Sequence, residues 1–272
     1  VVFLTYTLAI LFGAVQGFTE FLPVSSSGHL AILSMLTLGA PDLFFTILLH
    51  IATFVAVCAV YRRDIYELLR AFFLFIPDRL NKRAPHAYSR VIVMLIISLL
   101  PLVAVVPFKS RIEASFESPA VIGAMLLLTA VLLFLADSFN KGDKTIHSMT
   151  VKDALIIGLF QMCAVMPGLS RSGATLCAAL FCGLDRENAV KYSFILSLPT
   201  IAAAAVLGIS DAVKTGISPE LFGPYALGCI IAAASGFAAI FLVRLISKKG
   251  KLKIFSAYTA ALGIGLLVSY II

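Results

Sequence analysis

Glu20, Ser26, His29 and Arg171 are the residues whose types and surroundings suit chemistry. Glu20 is the only carboxylate set deep in an apolar stretch, and Arg171 is the only base in such a setting. Each costs about 2.5–3.5 kcal/mol at a bilayer centre on insertion scales. Brought together, the two would offset each other's burial; Arg171 is equally suited to hold an anionic ligand. The neighbours suit phosphate. Ser25, Ser26 and Ser27, followed by Gly28, fit the cap of a helix starting near His29, and Ser170, Ser172, Gly173 and Thr175 repeat the arrangement. A helix N-terminus with free N–H groups and small hydroxyl residues is an anion site. A guanidinium beside it matches phosphate geometry and stabilises charge on a transferring phosphoryl group. Capping alone would need one serine per helix.

His29 follows Ser26 by three residues, so both share a helical face. That permits Ser26 as nucleophile with His29 or Glu20 as base, His29 as nucleophile, or an activated water. Gln16 and Glu20 are four apart and face the same way. With substrate phosphate oxygens they make a site for a divalent cation, Mg²⁺ or Ca²⁺. His50 sits within an apolar stretch without polar company and reads as packing or a supporting hydrogen bond. His86 and His147 read as loop residues.

The elements that must position these residues are membrane helices. The chain has 272 residues, 61% hydrophobic and 13% charged, whereas soluble domains are roughly 45–50% apolar and about 25% charged. Mean hydropathy is +1.04. Apolar stretches run from end to end, which reads as one membrane domain. The net charge of +7 comes from lysines and arginines set between apolar stretches. Topology and anionic lipid contact account for that pattern better than a nucleic-acid face. The five cysteines show no CxxC spacing and read as small buried hydrophobes. The N-terminal apolar run lacks a basic flank and a cleavage site, so it reads as the first membrane segment.

Six stretches reach the roughly 17–25 residues that a crossing needs: 43–61, 91–107, 119–138, 188–209, 223–246 and 254–272. Two regions differ. Residues 3–38 are split around Glu20–His29, and residues 151–184 around Met166–Gly173. Each half is too short to span. A helix–loop–helix that enters and returns fits both, because Pro and Gly free backbone groups that only protein or a watery cavity can satisfy. Ile65, Leu68, Leu69, Phe72, Phe73 and Phe75 predict an amphipathic helix at the inner interface.

If each split region begins and ends on one side, almost every lysine and arginine falls on a single face. Only Lys109, Arg111 and Lys214 lie opposite, with Arg171 inside the second motif. The positive-inside rule then puts both termini outside. One fixed offset superimposes Gly13 on Gly158, Gln16 on Gln161, Ser25 on Ser170, Ser27 on Ser172 and Gly28 on Gly173. Pro23 and Pro167 are one position out of register. The expected fold is an all-α polytopic membrane helical bundle: six full spans plus two re-entrant regions in an inverted repeat, about 1–139 and 146–272. Broken helices meeting near the midplane are a known layout for membrane sites.

The segments Gln16-Gly-Phe-Thr-Glu20-Phe-Leu-Pro-Val-Ser-Ser-Ser-Gly-His29 and Pro167-Gly-Leu-Ser-Arg-Ser-Gly-Ala-Thr175 resemble the two signatures of bacterial undecaprenyl pyrophosphate phosphatases, the bacitracin-resistance family. The similarity extends over the whole chain in size, motif spacing and hydrophobic layout. It implies hydrolysis of undecaprenyl diphosphate to undecaprenyl phosphate, which recycles the lipid carrier for peptidoglycan synthesis and confers bacitracin resistance. It also implies a bacterial plasma (inner) membrane location, a site opening to the outer face and divalent-cation dependence. By motif position Glu20, Ser26, His29 and Arg171 form the catalytic set. Ser25, Ser27, Ser170, Ser172, Gly173 and Thr175 surround the phosphate, and Gln16 with Glu20 holds the metal. Gln16 occupies the Glu-or-Gln position of the first motif; members with Glu there have a second carboxylate, which this chain lacks for its metal site. The expected partners are a polyprenyl diphosphate and membrane lipids, without nucleic acid; a homodimer stays open. The phosphatidic-acid phosphatase superfamily also has Ser-Gly-His and Ser-Arg motifs. There, however, a His follows the Arg by six residues, where this chain has Cys177, and the upstream Lys and Arg-Pro signature is missing. The competing class is a transporter or lipid flippase, since broken helices in inverted repeats also suit alternating access.

Overall fold

The computed structural model describes residues 4–37, 39, 41–80, 86–139, 142–215 and 219–271. Lys82, Arg83 and Lys141 of the charge pattern lie outside these residues, and the side chain of Phe75 is outside the description. The helices are α1 Tyr6–Phe21, α2 Ser26–Leu36, α3 Leu43–Val60, α4 Arg62–Leu80, α5 Ser89–Leu99 and α6 Lys109–Ser115. They continue as α7 Pro119–Phe139, α8 Val151–Cys163, α9 Arg171–Phe181, α10 Arg186–Thr215, α11 Phe222–Lys248 and α12 Lys253–Ile271. No β-strand occurs among the described residues, only an isolated bridge between Lys144 and Leu184.

Side-chain caps fix several starts. Thr5 accepts from the Leu8 N–H at 3.2 Å for α1, and Asp42 from the Phe45 N–H at 2.8 Å for α3. Thr150 and Asp153 form a reciprocal capping box on α8. Near Pro101 the α-helical turns of α5 give way to a 3₁₀ segment, Leu100–Phe108, because proline cannot supply an N–H to the ladder.

Six stretches among the described residues are long and apolar enough to cross a membrane: Leu43–Val60, Ser89–Ser115, Pro119–Ser138, Arg186–Val206, Phe222–Lys248 and Lys253–Ile271. They coincide with the six expected ones to within a few residues, except that the second runs on to Ser115. Their outward sides expose Val55, Phe134, Ile230 and Phe241, a surface suited to hydrocarbon. By contrast α2 and α9 have 11 residues each. At 1.5 Å per residue such a helix rises about 17 Å, short of the roughly 30 Å hydrocarbon core.

Packing pairs the halves of the chain. α1 lies along α11 and α8 against α5; α1 packs on α2 and α8 on α9; α3 meets α10 and α7 meets α12. Exchanging α1, α2, α3, α5 and α7 for α8, α9, α10, α11 and α12 maps these pairs onto one another. Gly13 sits against the Gly228 backbone and Gly158 against the Ser98 backbone, so a Cβ at either would collide with main chain. Small residues permit this close approach. The match is incomplete, since α11 packs broadly on α3 while α5 barely meets α10.

In α4, Ile65 and Leu68 pack on the core while Tyr66, Leu69, Phe72 and Phe73 are exposed. Asp64 ties the helix down, accepting from the Tyr88 hydroxyl at 2.7 Å and from Lys191 at 3.0 Å. His86 and His147 flank Tyr88 outside the helices. The cysteines are free thiols; Cys177 is buried, whereas Cys163 is exposed, contrary to the expectation of burial for all.

Candidate active site

Two breaks carry the polar residues. α1 stops at Phe21, just before Pro23, which disfavours helical geometry at the residue ahead of it. The second break turns at Gly168 with φ 91°, where a Cβ would strike the Ile122 backbone. Ser25 caps α2 by accepting from the Gly28 N–H at 3.2 Å, and Ser170 caps α9 by accepting from the Gly173 N–H at 3.0 Å. α2 therefore starts at Ser26, earlier than the expected start near His29. The breaks also bond each other. The Gly168 N–H donates to Ser27 Oγ at 3.3 Å, and Ser172 Oγ donates to the Leu22 carbonyl at 3.4 Å.

Glu20 is the hub. The Arg171 guanidinium pairs with Oε1. Oε2 accepts from the Ser26 hydroxyl at 2.6 Å and the Gln16 amide at 3.1 Å, and His50 Nε2 lies 3.9 Å away. Glu20 is buried, while part of the Arg171 side chain remains accessible. Glu20, Ser26, Ser27, Ser170, Arg171 and His50 all line one cavity of about 340 Å³, as does Ser25. A second, mostly apolar hollow of about 550 Å³ adjoins it, walled by Leu30, Ala31, Met35 and Pro41.

The remaining candidates sit elsewhere. His29 is not on the cavity wall: Nδ1 donates to the Ser25 carbonyl at 2.7 Å, and Nε2 meets the Tyr258 hydroxyl at 2.7 Å. Thr175, within α9, is buried away from the cavity, and its hydroxyl donates to the Arg171 carbonyl at 2.9 Å. Ser172 and Gly173 belong to the cap and the loop-to-loop contact. Gln16 is sealed behind Glu20, with Oε1 lacking a hydrogen-bond partner among the described residues.

A serine hydroxyl on a cavity wall, bonded to a carboxylate that other groups orient, has the geometry that a nucleophile and its base require. Arg171 and the free N–H groups in the first turns of α2 and α9 are donors for phosphate oxygens.

The family model described as "Bacitracin resistance protein BacA" matches residues 9–265. The chain belongs to the BacA family. A protein named undecaprenyl-diphosphatase from Alkaliphilus metalliredigens is 40% identical over 267 residues, covering 94% of this chain and 95% of the relative. One from Methanococcus maripaludis (strain C6) is 40% identical over 250 residues, covering 92% and 94%. Another, from Desulfatibacillum aliphaticivorans, is 37% identical over 269 residues, covering 96% and 97%.

In this BacA-family chain, sequence reasoning set His50 aside because its own helix offers it no polar neighbour. The contact with Glu20 comes from α1, a different helix. The available signal was the cost of an ionisable side chain inside an apolar span, which by itself marks a functional position.

Proposed function

We propose that this chain is an integral membrane phosphatase that hydrolyses undecaprenyl diphosphate to undecaprenyl phosphate and inorganic phosphate. It thereby recycles the lipid carrier for peptidoglycan synthesis and confers bacitracin resistance. The observation that carries the reading is the Ser26–Glu20–Arg171 cluster in a polar cavity beside an apolar hollow. The diphosphate occupies the cavity, the first isoprene units lie in the hollow, and the rest of the tail stays in lipid.

In the reaction, Ser26 Oγ attacks the terminal phosphorus while its proton passes to Glu20. The bond from that phosphorus to the bridging oxygen breaks, and undecaprenyl phosphate departs with the electron pair and takes the proton from Glu20. Water then gives a proton to Glu20 and attacks the phosphoserine; Ser26 leaves and recovers that proton. Arg171 and the helix N-termini hold the phosphoryl oxygens and stabilise the charge that develops on them.

A divalent cation, Mg²⁺ or Ca²⁺, belongs to this reading. Among the described residues no three His, Cys, Asp or Glu side chains gather to hold a metal. Glu20, on the cavity wall, would lend a carboxylate oxygen to an ion that takes its other ligands from phosphate and water. Gln16 Oε1, unpartnered among the described residues but sealed behind Glu20, would join it only if the Glu20 side chain turned aside. Bound there, it would neutralise phosphate charge.

In this reading the protein lies in the bacterial plasma membrane with both termini outside, which the charge pattern supports. The cavity, walled by Phe116 before α7 and by Thr200 to Ala204 in the later half of α10, then opens to the outer face. The shortness of α2 and α9 and the paired packing of the halves support two re-entrant regions in an inverted repeat.

The test is phosphate release from farnesyl diphosphate by the purified protein in detergent. A transporter releases none. Trapping with labelled substrate identifies the attacking group. Acid-stable label on Ser26 is expected; acid-labile label on His29, or no label at all, would remove Ser26 as nucleophile.

A further inference from the structure

His50, like Thr19, Gln161 and Thr200, is a polar residue on the cavity wall that the proposed chemistry leaves unused, and it alone of these four also lines the apolar hollow. It lines the polar cavity and the apolar hollow alike, and only Ser27 and Phe116 share that position with it among the described residues. Nδ1 donates to the Thr46 carbonyl at 2.9 Å, which fixes the ring and presents Nε2 3.9 Å from Glu20 Oε2. The side chain is 34% exposed, against 3% for Glu20, so the ring edge faces open space as well as the carboxylate.

A lipid diphosphate has a fixed order: tail, lipid-proximal phosphate, bridging oxygen, terminal phosphate. With the tail in the hollow and the terminal phosphate at Ser26 and Arg171, the lipid-proximal phosphate must sit at the seam between the two spaces. Three residues form that seam. Phe116 has no hydrogen-bonding side chain. Ser27 Oγ is already engaged by the Gly168 N–H and by Ser25 Oγ at 3.2 Å. His50 Nε2 has no hydrogen bond within 3.5 Å among the described residues, and it is the atom left to meet the phosphate.

We propose that His50 binds the lipid-proximal phosphate, the one retained in the product, as an imidazolium that donates from Nδ1 to the Thr46 carbonyl and from Nε2 to the phosphate. This rests on the lipid-diphosphatase reading above. It divides the site in two: Arg171 and Glu20 govern the phosphate that is released, and His50 the phosphate that stays on the lipid.

The test uses two inhibitors of phosphate release from farnesyl diphosphate. Farnesyl monophosphate carries the retained phosphate and a tail; inorganic phosphate mimics the released one. His50→Leu is expected to raise the inhibition constant for farnesyl monophosphate about tenfold, the scale of one lost hydrogen bond to a charged group. It should leave that for inorganic phosphate unchanged, and His50→Gln should recover part of the loss. Equal weakening for both inhibitors, or none for farnesyl monophosphate, overturns the proposal. If His50→Leu does not fold, labelled imidazole resonances of the wild type decide. The His50 signal should shift with farnesyl monophosphate and not with inorganic phosphate; the reverse overturns the assignment. A wild-type protein that releases no phosphate from farnesyl diphosphate refutes the enzyme reading itself, an outcome separate from a failed His50 result.

Discussion

The break between α1 and α2 and the break between α8 and α9 are built alike and charged oppositely. Both use a serine to cap the following helix through a glycine N–H, and both hold a second serine against the cap, at 3.2 Å for Ser25–Ser27 and 3.3 Å for Ser170–Ser172. Each lends that second serine to the other loop's backbone. In the offset that aligns them, Ser26 falls on Arg171. One copy therefore carries the hydroxyl and its carboxylate, and the other carries the cation. Two loops capped in the same way thus present different groups to one cavity, and Glu20 joins them by bonding to both; in the proposed reaction the first would supply attack and the second charge stabilisation.

The largest effect comes from breaking that division. Glu20→Gln and Arg171→Lys should each lower phosphate release by about 10²–10⁴, the range for losing a general base or an oriented charge stabiliser. Both variants still need to fold, since removing one member of a buried pair costs about 3–5 kcal/mol. The exchange Glu20→Arg with Arg171→Glu separates chemistry from structure. It should recover part of the thermal midpoint lost by either single charge reversal and recover no activity. Recovered activity would reduce the pair to a structural tie.

A smaller effect lies in the backbone. Ser25 is the only non-glycine residue with positive φ among those described, at 72°, while its counterpart Ser170 sits at −67°. Such a conformation costs of order 1–3 kcal/mol and persists where surrounding structure enforces it. Of the two capping serines, only the one ahead of Ser26 carries this strain. Glycine at Ser25 relieves the strain and gives up the side-chain cap; glycine at Ser170 gives up the cap alone. Ser25→Gly should therefore have the higher thermal midpoint of the two variants, with reduced phosphate release because Ser26 is held less firmly. Equal midpoints would show that the strain has no energetic weight.

The sequence carried much of this comparison. Glycine, glutamine and serine at one offset pointed to the two matching breaks, each of which carries a serine cap on the following helix. The six spans were legible because length and apolarity are properties of local sequence. What stayed hidden depends on contacts between distant helices. His29 was drawn toward Ser26 by their spacing, yet in the fold its ring is taken by the Ser25 carbonyl and by Tyr258 from α12. His50 was passed over because its partner belongs to α1. The strain at Ser25 is invisible in sequence, because serine does not announce a positive φ as glycine does.

The smallest effect concerns how the outer ends of the two broken pairs are anchored. α1 begins with a single Thr5 hydrogen bond, whereas α8 begins with the Thr150–Asp153 box, and Lys144 pairs with Asp153 at 3.1 Å. Burial pushes the Asp153 carboxyl up, but the Thr150 N–H and Lys144 outweigh it and hold the group below its usual range. A lowered folded-state value means that the stabilising contribution is fully present above the unfolded pKa of about 3.9. It is lost as pH falls through the folded value. Asp153→Asn should thus lower the thermal midpoint near neutral pH by the equivalent of about 1 kcal/mol, a typical capping loss. The gap from wild type should close as the pH drops below that range. Thr5→Ala, which removes a neutral cap, should show a gap that does not vary with pH over the same interval. A pH-independent gap for Asp153→Asn as well would mean that both anchors work by geometry alone, and that opposite charge distinguishes the two halves only at Glu20 and Arg171.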